Sequence, residues 1–212
     1  MNRCDTEHWS RLWRTATNCD APGGLYDRLL AMYAEPHRHY HNQQHIADCL
    51  NELDRVRYLA VESDAVEFAI WFHDAVYDPR AGDNEERSAD FAASGLQAGG
   101  AKAGLVRSVQ QLVLATKAHD GTLHPDAPLL VDVDLSILGQ SPDRFWEYEN
   151  AIRAEYSWVE SAAFATKRSE ILGRFLARPR LFQTEYFFQR FEIQARSNLR
   201  ASIEQLRHSL QG

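Results

Sequence analysis

The run Val66-Glu67-Phe68-Ala69-Ile70-Trp71-Phe72-His73-Asp74-Ala75-Val76-Tyr77 is apolar on every side of a helical wheel, Glu67 excepted, until it meets His73 and Asp74. A helix without a polar face has to be covered on all sides. The run therefore predicts a central helix over residues 66–77, with the rest of the chain as its wrapping. Two ionisable groups at the end of such a helix need a reason to be there. A buried carboxylate costs several kcal/mol unless it is paired or coordinates a metal.

The wrapping is helical as well. Ile46, Cys49, Leu50, Leu53 and Val56 recur at steps of three and four, as do Leu105, Val106, Val109, Leu112, Val113 and Thr116. Phe188, Phe191, Ala195, Leu199, Ile203 and Leu206 trace one face of a long final helix. Ser141-Pro142-Asp143 reads as an N-cap followed by proline at the first helical position. One segment competes as a strand: Val131-Asp132-Val133-Asp134-Leu135 alternates with period two. A lone strand has no partner in a helical chain, so a helix is expected there. The two aspartates then lie about 200° apart. Asp134 joins Leu130, Val131, Leu135 and Leu138, and Asp132 faces away. The expected fold is all-α, one helical domain over residues 1–212. Its site-bearing core spans about 38–140, and helices over about 142–210 pack on it.

Composition excludes more than it selects. With 212 residues, 44% hydrophobic and 25% charged, the chain can bury a real core. The net charge of −7 lacks the basic face that nucleic acid demands. Cys4, Cys19 and Cys49 are odd in number and contain no CxxC pair, which fits a reducing compartment. No apolar leader and no run near ~18 apolar residues is present, so a cytoplasmic protein without a membrane partner is expected. Its oligomeric state, monomer or homodimer, is left open.

Histidines and acids supply the chemistry. His41 and His45 are spaced to share one side of a helix, one turn apart. The HxxxH spacing also occurs in zinc proteases, but those need glutamate after the first histidine, and position 42 is asparagine. His37 and His39 are read as solvent-facing. His45, His73, Asp74 and Asp134 together form a mixed imidazole and carboxylate set, which suits divalent transition metals. A second pair, His119-Asp120, sits at a helix end and lies only 14 residues before Asp134. His119 is therefore read as a substrate contact, as a ligand of a second metal, or as a cation complementing that helix end.

These residues resemble the HD superfamily of metal-dependent phosphohydrolases over His41 to Asp134. The string Tyr40-His41-Asn42-Gln43-Gln44-His45 and the string Asp134-Leu135-Ser136 are also similar to cyclic-nucleotide phosphodiesterase catalytic domains, as, more loosely, is Val113-Leu114-Ala115-Thr116. Phe72 to Asp78, Asn84 to Ala89, and Glu192-x-x-Ala195-Arg196-x-Asn198-Leu199 resemble a bacterial subgroup described as predicted HD phosphohydrolases. The chain is much shorter than the phosphodiesterases and shows no purine clamp, so their nucleotide specificity is not implied.

The resemblance implies ligation of one or two divalent ions (Mn, Mg, Fe, Co, Ni or Zn) by His45, His73, Asp74 and Asp134. Asp74 would bridge to a second ion. The implied reaction is hydrolysis of a phosphate mono- or diester, such as a nucleotide or another small phosphorylated metabolite, by water activated on the metal. His41 takes the place of the proton donor to the leaving oxygen. Glu85 or Glu86 would orient water or ligate the second ion, and Lys117, Arg80 and Arg87 are phosphate-contact candidates. Two other readings stay open. One is an HD-fold di-iron oxygenase, which needs further inward histidines from His37, His39, His119 or His124. The other is a catalytically silent nucleotide-binding module.

Overall fold

The computed structural model describes residues 4–118 and 124–210. It is all-α: among the described residues there are helices and short 3-10 turns and no strand. None of the described helices is long and apolar enough to cross a membrane. The chain divides into two compact units, Met1–Asp134 and Leu135–Gly212.

In the first unit α4, Ser63–Phe72, is the central element. Every residue from Ala65 to Phe72 is buried, because α1 (Thr6–Thr17), α3 (Gln43–Val56), α5 (Asn84–Ala98), α6 (Ala103–Ala118) and α7 (Ala127–Asp134) all pack on it. Edge-to-face aromatic pairs fill the seam with α1: Trp9 on Trp71 at 5.1 Å and Trp13 on Phe68 at 5.1 Å between ring centres. Such pairs add roughly 0.5–1.5 kcal/mol each beyond their buried area. The N-terminus of α4 is capped from a distance. Asp126, just ahead of α7, accepts the amides of Val61 at 2.8 Å and Glu62 at 2.7 Å.

The boundary of the central helix needs correcting: it stops at Phe72 and does not run on to Tyr77; His73 is its C-cap and Asp74 lies in the turn beyond. Glu67, the polar residue of the run, is buried with the rest. It is held by His8 of α1 at 2.6 Å and by Arg57, and these partners keep its carboxyl below the usual range although burial alone would raise it.

The α4–α5 loop is stitched to the start of α5 by two side chains of the Asn84-to-Ala89 string. Asp83 holds the cap position of α5, and Asn84 is already helical. Its amide accepts from the Asp78 N–H at 3.0 Å and donates to the Asp78 carbonyl at 2.9 Å. Ser88, fully buried, accepts from the Val76 N–H at 3.0 Å. The string is thus a structural device that fixes the loop after His73-Asp74.

The helix expected over residues 131–135 is present as the end of α7, but Asp132 does not face away. It is completely buried, while Asp134 at the last turn is half-buried.

The second unit holds a 3-10 turn, Leu135–Gly139, and the helices α8 (Pro142–Glu155), α9 (Ser161–Ala177) and α10 (Glu185–His208). Ser141 caps α8 with Pro142 at the first position, as its sequence predicts. On α10 the inward residue at the start is Phe187 and not Phe188, and Leu206 is only half-buried. The Glu192 to Leu199 string is structural. Glu192 accepts the amides of Leu181 and Phe182, Arg196 donates to the carbonyls of Leu176, Arg178 and Pro179, and Asn198 donates to those of Leu138 and Gln140.

Gly139 lies against the backbone of α10. A Cβ there would stand 2.4 Å from Phe191 Cβ and 2.8 Å from its carbonyl oxygen, which no rotamer change relieves. Gly139→Ala is expected to cost about 1–3 kcal/mol of unfolding free energy, as overpacking does. Gly173 in α9 has open space around it, so Gly173→Ala should gain about 0.5–1 kcal/mol. Urea unfolding of the pair checks both signs at once.

Candidate metal centre

Helix α3 begins at Gln43, two residues after His41. Asn42 is the reason: its Oδ1 accepts from the Gln44 N–H at 2.9 Å, which makes it the N-cap. His41 therefore stands in the turn ahead of α3, not one turn earlier on the same helix. It nevertheless comes near His45, with ring centres 6.1 Å apart, and stacks on Tyr77 at 4.2 Å.

His45 projects from the buried first turn of α3, His73 from the end of α4, Asp74 from the turn after it, and Asp134 from the end of α7. The four meet. His45 Nε2 lies 3.1 Å from His73 Nε2 and 3.1 Å from Asp134 Oδ1. His73 Nε2 lies 3.1 Å from Asp74 Oδ2, and the two remaining histidine–carboxylate distances are both 3.6 Å. Metal–ligand bonds of about 2.1 Å produce ligand–ligand edges of roughly 3.0 Å at right angles and roughly 3.4 Å at the tetrahedral angle. The three spacings of 3.1 Å fall in that range and the two of 3.6 Å lie above it; His45, His73 and Asp74 form one metal-capable grouping, with Asp134 beside it against both imidazoles.

The tautomer agrees as well. His73 Nδ1 lies 2.9 Å from the Ile70 carbonyl and donates its proton there, so in the neutral ring Nε2 carries the lone pair that faces the cluster.

Electrostatics point the same way. Burial opposes a charge on His73, but Asp74 and Asp134 overcome it and hold the imidazole well above its usual range. Burial likewise opposes the charge on Asp74, and His73, His41 and His45 overcome it, so its carboxyl stays well below the usual carboxylate range. The cluster thus demands positive charge, which a proton on His73 supplies in part and a divalent ion would supply in full. The C-terminal end of α4, where His73 sits, adds its partial negative charge.

The imidazoles are enclosed, with side chains 3% and 2% exposed, whereas Asp74 and Asp134 keep 19% and 16% open to solvent. An ion held here would retain an accessible side, as catalytic sites do and closed structural sites do not.

One neighbour escaped the sequence reading. Cys49, one turn after His45 on α3, places its Sγ 3.8 Å from His45 Nδ1 and forms a second metal-capable grouping with His45 and Asp134. Its spacing of four from His45 was the available signal. Burial pushes the thiol well up, and Asp134 adds to this, so it stands as a neutral wall.

The remaining candidates gather elsewhere. Lys117 pairs with Glu86 and donates to the Gly82 carbonyl at 2.8 Å, and Arg87 lies 4.0 Å from Asp83, all at exposed positions. Glu85 is half-buried in the first turn of α5 and belongs to neither metal-capable grouping among the described residues. Arg80 is exposed on the α4–α5 loop. His119 lies outside the described residues. His37 contacts the Tyr77 carbonyl at 2.9 Å, and His124 is engaged with Glu62 and the Asp126 amide, so neither turns to the cluster. His39 is exposed.

No family model, characterised protein or solved structure matches this chain.

Proposed function

We propose that the protein is a metal-dependent phosphohydrolase acting on a small phosphate mono- or diester, with His45, His73, Asp74 and Asp134 as ligands of a divalent ion. The observation that carries the reading is the closeness of the two imidazoles to each other and to both carboxylates, with the lone pair of His73 turned toward them. The likeness of the Tyr40-to-His45, His73-Asp74 and Asp134-Leu135-Ser136 strings to HD phosphohydrolases supports phosphoester chemistry over other uses of such a centre. A divalent ion held there supplies Lewis acidity to a phosphoryl oxygen and acidifies coordinated water toward neutrality.

The protein's own residues do the rest. Asp74 and Asp134 supply the negative charge that retains the ion, and the buried imidazoles fix its position. His41, on the Tyr77 ring at the edge of the centre, donates a proton to the leaving oxygen. Lys117 is committed to Glu86, so a phosphate contact from it requires breaking that exposed pair, whose worth is small in solvent. The oxygenase reading gains nothing from the described histidines, since His37 and His124 are engaged away from the cluster.

Elemental analysis paired with a phosphatase and phosphodiesterase panel across Mn²⁺, Mg²⁺, Co²⁺ and Ni²⁺ tests the proposal. At least one bound ion per chain and turnover of a phosphoester are expected. His41→Ala should keep the ion and lose about 10²–10⁴-fold in rate, chiefly for poor leaving groups, the usual worth of a positioned acid. Loss of the ion in this variant would make His41 a ligand and refute its assignment as the acid.

A further inference from the structure

Arg38 is a cation buried to 6% exposure, although it lies in a histidine-rich run that reads as solvent-facing. Burying a guanidinium costs several kcal/mol unless its donors are satisfied in good geometry. Here three of its hydrogen bonds go to the two turns beside the centre. Nη1 donates to the carbonyl of Asp74 at 2.5 Å and to that of His41 at 3.2 Å. Nη2 donates to the carbonyl of Ala75 at 2.8 Å, and Nε to Glu35 at 2.9 Å. The guanidinium also lies 5.2 Å from the Tyr33 ring centre and 5.5 Å from that of Tyr77, the ring on which His41 stacks. Tyr33 in turn donates to the Trp71 carbonyl at 3.1 Å.

One planar fork therefore grips the two peptides that flank Ala75 and the peptide after His41. These belong to turns 36 and 3 residues away from it in sequence. Both turns lie outside helices, so no ladder of backbone hydrogen bonds fixes them. Water would satisfy the same carbonyls without setting the distance between the turns.

We infer that Arg38 is the positioning residue of the centre, holding the Asp74 carboxylate and the His41 imidazole at a set separation through the carbonyls of their own residues. The inference rests on the reading of the centre as a metal site. Lysine cannot replace it, because one ammonium on a flexible stem does not span three carbonyls in a plane. The second unit contains a comparison: Arg153 binds the carbonyls of Tyr156 at 2.7 Å and Val159 at 3.1 Å but has no part in the cluster.

Cobalt titration of the full chain, followed by visible absorption, with thermal unfolding in parallel, tests this. Wild type should take up Co²⁺ with a ligand-field spectrum. Arg38→Lys should bind it 10- to 100-fold more weakly, the usual effect of removing a group that orients a ligand, with a changed band shape. Arg38→Gln should lose at least as much, and Arg153→Lys should lower the melting temperature while keeping affinity and spectrum. If the foldable Arg38 variants melt earlier yet bind cobalt with wild-type affinity and band shape, Arg38 is merely structural and the inference falls alone. If wild type itself takes up no cobalt, the metal reading falls and takes this inference with it.

Discussion

Asp74→Ala should yield a folded protein that holds no divalent ion after dialysis and hydrolyses no phosphoester. The expectation of an intact fold comes from the way Asp74 is attached. Its carbonyl is gripped by Arg38 and its neighbour Ala75 closes a turn onto the Phe72 carbonyl at 3.0 Å, and neither contact uses the side chain. The carboxylate itself is partly open to solvent and faces His73 and His45. Its removal therefore strips one of two anionic donors from the centre and leaves two imidazoles with one carboxylate beside them. The loss should exceed the 10- to 100-fold typical of a group that only supports a ligand. Asp74→Asn refines the test, since it keeps the shape and removes the charge. If the charge is what retains the ion, Asn should behave like Ala. Elemental analysis showing a full equivalent of metal in Asp74→Ala would remove this residue from the coordination sphere and leave the proposed chemistry without its bridging donor.

The central helix and the all-α class were legible because burial all round a ten-residue run has one explanation, and because Val131 to Leu135 had no strand to pair with. The meeting of His45, His73, Asp74 and Asp134 was legible as residue types that are costly to bury alone. Boundaries were harder, since they are set by single hydrogen bonds. Asn42 captures the Gln44 amide and so ends the reach of α3 before His41. Asn84 is drawn away to Asp78 and leaves the cap to Asp83. Long-range polar pairing was not legible at all. Glu67 is acceptable in the core only because His8 and Arg57 arrive from other elements. Arg38 is buried only because the turn after α4 turns two carbonyls toward it and the turn ahead of α3 a third. Periodicity reports which face of a helix is apolar, and it carries no information about a charge whose partners lie tens of residues away.

Arg168→Met should destabilise the second unit by about 3–5 kcal/mol, a large part of a typical domain's 5–15 kcal/mol. Arg168 of α9 is buried and bound to Glu149 of α8, also buried; Ser202 of α10 donates to the same carboxylate at 2.8 Å. Arg168 further donates to the Tyr148 hydroxyl at 2.7 Å. Burial works against the charge on Arg168, and Tyr148 and Glu149 more than offset it, holding the guanidinium above its usual range. Three helices thus share one ion pair. Methionine would fill much of the space but leave Glu149 charged and served by a single hydroxyl, and the desolvation of that carboxylate is what the loss measures. Removing both charges, as Arg168→Met with Glu149→Leu, should restore most of the stability, because apolar groups of similar volume often match or exceed a buried pair. The double-mutant cycle, read from urea unfolding, should show strong positive coupling. A single variant within about 0.5 kcal/mol of wild type, in the range of ordinary surface changes, would mean that water reaches Glu149 and that the pair does not tie α8, α9 and α10 together.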